Sequence, residues 1–237
     1  MPTTAGIPVP GTVLAFDVMG TLLNWHAGMS AQLASTAAAF CPDPHLTPDW
    51  NEVARHYRQH CLDRIRGRVE PAFDFDDVLR DALSETLLEL RITLPASAHA
   101  EIIAAWDRLP FWPDVAAAFA RLQQRYHLVA FSVLTRRALE RLAERTGPVW
   151  HELLSCADFG VYKTHPDAYR RAAAALDVPP TAITMVACHD FDLSAAAAVG
   201  FNTARLWRPR EWGSDQGYSP ASQPPASFAS LTELAPD

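Results

Sequence analysis

The chain has 237 residues, 49% of them hydrophobic, enough for a sizeable buried core. A net charge of −7 with no basic tract argues against a nucleic-acid partner. Met1 to Gly11 lacks the basic start of a signal peptide, no apolar run is long enough to span a membrane, and Cys41, Cys61, Cys156 and Cys188 show no CxxC spacing, so the expectation is a cytoplasmic protein with reduced thiols and no membrane partner.

The first expected element is a buried strand, Val13 to Phe16, an apolar run that ends on Asp17. Gly20 and Thr21 follow at once, where a sharp turn needs a flexible residue. Asp17 is therefore either a turn aspartate or a carboxylate at the strand edge where open α/β sheets place their ligand sites. Trp25 to Phe40 reads as a helix, broken by Cys41-Pro42-Asp43-Pro44. Thr47 as N-cap and Pro48 at the first helical position start a second helix, ended by Gly67. Trp50, Val53, Tyr57, Cys61 and Ile65 share one face of it, and Arg58 lies at the edge of that face, solvated by default. Phe75 to Leu90 and Ser97 to Trp106 give two more helices, and no strand is expected between Asn24 and Arg108.

Residues 24–108 are thus expected to form an all-helical cap, inserted into a core made of residues 11–23 and 109–237. In that second part, strands at Leu128 to Phe131, Ile183 to Ala187 and Thr203 to Trp207 alternate with helices at Val115 to Arg125, Arg136 to Arg145, Pro166 to Leu176 and Leu193 to Val199. The alternation predicts an α/β fold, a Rossmann-like parallel sheet with helices on both faces. Pro209 to Pro225 is expected as a surface loop and Phe228 to Leu234 as a short helix.

Three expected strands end in polar residues: Asp17, Ser132, and the run from Cys188 to Asp192. Lys163, the single lysine of the chain, falls in a loop before a helix. A doubly wound sheet brings all these ends to one crevice. A carboxylate beside an ammonium keeps its charge, which suits a nucleophile better than a general acid. The chain has no GxSxG, P-loop, GxGxxG or HExxH that would point elsewhere.

The order strand-Asp…Gly-Thr, strand-Ser, Tyr162-Lys163-x-His165-Pro166, strand…Asp resembles the haloacid dehalogenase superfamily, and within it the type II L-2-haloacid dehalogenases. Leu109 to Asp114, Met185 to His189 and Trp207 to Gly213 fit the same pattern, so the resemblance runs from about Val13 to Leu234. It implies hydrolysis of a small 2-haloalkanoic acid or haloacetate to a hydroxy acid and halide, through an ester of Asp17, without cofactor or metal; a homodimer is compatible with it.

By position, the resemblance implies that Thr21 and Lys163 hold the Asp17 carboxylate. Ser132 and its neighbouring backbone bind the substrate carboxylate, Arg58 meets the halogen, and Tyr169 supports the site. Asp192, with His189, positions water. Met19, Gln59, Leu62, Phe75, Val133 and Phe191 would line the pocket. Plainer roles stand beside these: an N-cap for Asp192, a backbone-bound hydroxyl for Ser132, packing for Tyr169, a structural hydrogen bond for His189. The rival enzyme is a phosphatase of the same superfamily, but Met19 stands where such enzymes have a second aspartate, and Cys188 is a poor magnesium ligand. Asp190 and Asp192 still offer oxygen. A non-catalytic binding protein is the third reading. Met19, Val133 and His189 depart from commoner residues of the family. Preferred halogen, chain length and chirality stay open.

Overall fold

A computed structural model of the chain describes residues 13–41, 47–66, 74–213 and 227–234. Strand β1, Val13–Phe16, is buried along its whole length. It lies inside a six-stranded sheet of order β3-β2-β1-β4-β5-β6, in which every pairing is parallel. The other strands are β2 His127–Ser132, β3 Glu152–Ser155, β4 Ile183–Ala187, β5 Asn202–Leu206 and β6 Ser227–Phe228. Phe16 pairs with Ala130 on one side and Val186 on the other. That register brings the residues after β1, β2 and β4 to the same edge.

After β1 come four helices, α1 Trp25–Phe40, α2 Trp50–Ile65, α3 Phe75–Glu89 and α4 Ala96–Ala104, and a 3-10 turn at Ala105–Arg108. They pack on one another, α2 chiefly on α1 and α3. Leu23 bridges Phe111 in antiparallel fashion, so the insertion leaves and re-enters the sheet layer at one place. Helix α5 Val115–Leu122 leads into β2, and after β2 come α6 Arg136–Thr146, α7 Cys156–Phe159, α8 Pro166–Ala175, α9 Asp190–Ala198 and α10 Leu231–Leu234. Burying each large apolar side chain of the sheet, such as Phe16 or Phe131, contributes about 1.5–3 kcal/mol. Among the described residues no helix is long and apolar enough to cross a membrane.

Several boundaries differ from the sequence-based expectation. Helix α2 starts at Trp50, and its N-cap is Asp49, whose carboxylate accepts from the Asn51 N–H at 2.9 Å; Thr47 and Pro48 only lead into it. Strand β3 was not expected: its first residue is exposed and only its last two are buried, so its apolar run is too short to signal a strand. Phe228 belongs to β6 and not to a helix, since its carbonyl accepts from the Trp207 N–H at 2.7 Å. Helix α9 begins at Asp190, not Leu193, with His189 as its N-cap residue. Asp192 therefore sits inside the first turn and is not the cap. Gly67, the Pro42 to Pro44 breaker and residues 214–225 of the expected tail loop lie outside the described residues.

Candidate active site

Asp17 follows β1 directly, and its N–H is anchored to the Val186 carbonyl at 2.9 Å. Gly20, at φ +85°, turns the chain back, and a Cβ there would collide with Glu211. Thr21 then returns to the side of Asp17: its hydroxyl donates to Asp17 Oδ2 at 2.7 Å and accepts from the Cys188 N–H at 3.0 Å. Lys163, in the loop before α8, donates to the Phe131 carbonyl at 2.8 Å and to Asp192 Oδ2 at 2.9 Å, and reaches Asp17 Oδ1 at 3.3 Å. Its ammonium also stands 4.5 Å from the centre of the Phe131 ring. Tyr169, on α8, donates to Asp192 Oδ1 at 2.6 Å.

His189 bridges two acids. Its Nδ1 lies 3.3 Å from Asp17 Oδ2, and its Nε2 lies 2.9 Å from Glu211 Oε1. Trp25, at the start of α1, donates its indole N–H to the same Glu211 oxygen at 2.9 Å. Phe191 stacks on the His189 ring at 5.0 Å and 16°, with the Arg66 guanidinium over its other side at 5.7 Å. Asp17, Thr21, Ser132, Lys163, Tyr169, His189, Asp192 and Glu211 are all buried.

Burial alone would raise the Asp17 carboxyl, but the Lys163 charge and then the His189 and Thr21 hydrogen bonds bring it well below the usual carboxylate range. Burial likewise opposes the Lys163 ammonium, and Asp192 and Asp17 overcome it, so its pKa rises. For His189 burial disfavours the cation, while Cys188, Glu211 and Asp17 lift its pKa well above the ordinary imidazole value. Glu211 is pulled down against burial, first by His189. Asp192 is moved up, because burial exceeds the help of Lys163 and Tyr169. The result is an anionic Asp17 held beside an ammonium and an imidazolium, with Glu211 a second anion on the other nitrogen of that imidazole.

Arg58 comes in from α2. It is 3% exposed, yet its Nε and Nη1 meet no hydrogen-bond partner among the described residues. Its guanidinium lies 5.9 Å from the Trp25 ring and 6.0 Å from that of Trp106. Aromatic faces offset part of the cost of burying a cation, but unpaired N–H groups at this depth remain expensive and favour an anion beside them. Arg58 and Asp17 face one cavity of about 30 Å³, whose walls include Met19, Leu62, Val133 and Phe191. Lys163, His189 and Asp192 also reach it. The cavity has room for about two to three water-sized spheres and fits only a small occupant.

Two expected pocket residues are not there. Gln59 follows Arg58 on α2 and so points about 100° away from it. It donates to Asp63 at 2.8 Å on the exposed side and borders a groove with Arg55, His56 and Trp212. Phe75 is buried in the core at the start of α3 and is not part of the cavity wall. Ser132 lies at the end of β2 but does not line the cavity; its Oγ accepts from the Leu134 N–H at 3.2 Å. The sequence reading gave no role to Glu211, Trp25, Ile65, Arg66 or Thr164. The last three line the cavity, and Glu211 with Trp25 braces His189. The signal for Glu211 was its place in the Trp207 to Gly213 stretch, together with the bare Gly20 that makes room for it.

Cys188, His189 and Glu211 hold donor atoms within 4.8 Å of one another, but the facing Nε2 and Oε1 are already bonded to each other. The set is not the oxygen shell that magnesium takes. A second group, His56, His60 and Glu89, lies on the outer side of α2 and α3.

The pattern describing haloacid dehalogenase-like hydrolases matches residues 12–200. An (S)-2-haloacid dehalogenase of Xanthobacter autotrophicus is 28% identical over 200 residues, covering 82% of this chain and 74% of that protein. An (S)-2-haloacid dehalogenase 4A of Burkholderia cepacia is 26% identical, covering 81% of each. The crystal structure of a defluorinating L-2-haloacid dehalogenase superposes with a TM-score of 0.84 at 28% identity, over 95% of this chain and 94% of that one.

Proposed function

The chain belongs to the haloacid dehalogenase-like hydrolases, and from that membership we propose that it hydrolyses short 2-haloalkanoic acids to 2-hydroxy acids through an ester on Asp17. The single observation that carries this is the buried, ionised Asp17 facing a small cavity that is also lined by a guanidinium with unpartnered N–H groups. An Asp17 oxygen attacks the halogen-bearing carbon while the carbon–halogen bond breaks, and the halide leaves with the electron pair toward Arg58. Lys163 and Thr21 fix the carboxylate for that attack. The substrate carboxylate is received at the end of β2, where Val133 lines the cavity and Ser132, just behind it, holds the turn through the Leu134 N–H. Water then opens the ester at the Asp17 carbonyl.

The (S)-acids named for the relatives are the expected enantiomers. Residues 24–108 act as a cap over a core of residues 11–23 and 109–237, and the reaction needs no metal. A phosphatase is the weaker reading, because Met19 cannot supply the proton a leaving alcohol needs. Halide release from a panel of 2-chloro-, 2-bromo- and fluoro-acids in excess EDTA, beside an assay on p-nitrophenyl phosphate, separates the two. In a single turnover in ¹⁸O water with enzyme in excess, the label should enter the peptide of residues 13–22 and not the product. Labelled product with an unlabelled peptide would leave Asp17 as a mere base.

A further inference from the structure

The ester has to be opened again, and the structure bears on which group takes the proton from water. Asp192 is the carboxylate expected there, yet both of its oxygens are engaged, by Lys163 at 2.9 Å and Tyr169 at 2.6 Å. His189 has its Nδ1 at the Asp17 carboxylate and its Nε2 on Glu211. Glu211 arrives from the loop after β5, is held by the Trp25 indole, and fills the space that Gly20 leaves. Resting on the dehalogenase reading above, we propose that His189 is the base for the water that opens the Asp17 ester, and that Glu211 is the positioning residue that makes it one.

The charged and titratable groups around His189 are Asp17 after β1, Cys188 beside it, and Glu211 from the closing loop. Lys163 lies on the other oxygen of Asp17, Arg58 lines the same cavity and its charge acts on Glu211, and Arg66 lies over the Phe191 ring. Two flanking anions keep the ring protonated. When Asp17 becomes an ester, one of those anions is gone, and the ring gives up its Nδ1 proton to solvent. Glu211 retains the Nε2–H, so the freed lone pair is the one that faces the ester.

Water adds to the acyl carbon and gives one proton to Nδ1. Its other proton goes to the departing hydroxy-acid oxygen as the bond from that oxygen to the acyl carbon breaks. Asp17 is again a carboxylate and His189 an imidazolium. Each turnover thus releases one halide and one proton, both in the first half of the reaction.

Glu211→Gln keeps the shape and removes the charge. With a 2-haloacid that the native enzyme turns over, rapid quenching should show the halide burst within about 3-fold of native, and steady-state turnover lower by about 10²-fold or more. The ester should accumulate on the peptide of residues 13–22. The acid limb of kcat should move to lower pH, because the ring has lost an anion, and Glu211→Asp should restore part of the rate. In the native enzyme, a pH indicator should show the proton leaving with the halide. A Glu211→Gln variant at native rate, or one that loses burst and turnover together, would overturn the assignment. So would a proton released only in the second phase, an experiment that needs no variant to fold. Absence of halide release by the native enzyme from every 2-haloacid would instead remove the dehalogenase reading itself.

Discussion

Lys163 makes three polar contacts at once, and they fix what can replace it. A methionine would fill the space but leave Asp17 and Asp192 as two buried carboxylates without their shared cation, so Lys163→Met should abolish halide release. Lys163→Arg should also be poor, since a planar fork cannot serve three acceptors gathered around one nitrogen. Halide assays on folded protein, checked by circular dichroism, test both. Arg58 is the opposite case, a buried cation lacking partners at two nitrogens. Arg58→Ala should lower kcat by about 10²-fold or more while costing little stability, because the lost group was itself costly to bury. A native rate in that variant would return Arg58 to a packing role. Asp17 and Lys163 stand out in the sequence as a carboxylate closing an apolar run and the single lysine of the chain, whereas Thr21 and Arg58 are singled out only by the family resemblance, Arg58 reading by itself as a solvated arginine at a helix edge. Glu211 does not stand out, since a glutamate flanked by Arg210 and Trp212 in a loop carries no period that marks it as buried.

At the scale of elements, the closing segment after β5 is docked on α1 rather than draped over it. Gly213, at φ +89°, has no room for a Cβ, which would collide with the His26 ring. Arg208 adds a two-pronged ion pair with Asp114 and donates to the Thr21 carbonyl at 3.0 Å. Gly213→Ala should therefore cost about 1–3 kcal/mol of stability and, by displacing Glu211, lower turnover more than substrate affinity. Thermal unfolding and a split of kcat from KM would show it; an unchanged melting temperature would contradict the close docking. The central strands were readable because β1, β2 and β4 are buried runs. Strands β3 and β6 lie at the two edges of the sheet, are partly exposed, and so lose the apolar signal. Helix α2 was expected to start at Thr47-Pro48, but Asp49 also carries a capping side chain and is the one whose carboxylate accepts the Asn51 N–H, so the helix begins at Trp50. Gln59 was misplaced for a related reason: on a helix, one residue's step is enough to leave the pocket.

For the molecule as a whole, the buried charges set how it tolerates acid. Asp17 and Glu211 have folded pKa values below their unfolded ones, so the stability they contribute is present above about pH 4–5 and is lost as pH falls through the folded values. Asp192, shifted upward, works in the other sense, and His189 contributes below its unfolded value of about 6.5 and loses that only as pH rises through its raised one. The melting temperature should drop between about pH 5 and 3, and drop less steeply in Glu211→Gln; identical slopes would mean that Glu211 does not carry its charge into the fold. The sheet order has a further consequence in time. Val13 pairs with His127 and Ile183, partners that the chain reaches only after the whole helical insertion and most of the second half. Closing such long loops is slow, because their entropy is lost before any contact repays it. On the ribosome, the strand that carries Asp17 emerges first and waits longest for its neighbours. An alkylating acid met during synthesis would find an ordinary solvated aspartate, and the reactive one comes into being only with the last strands in place.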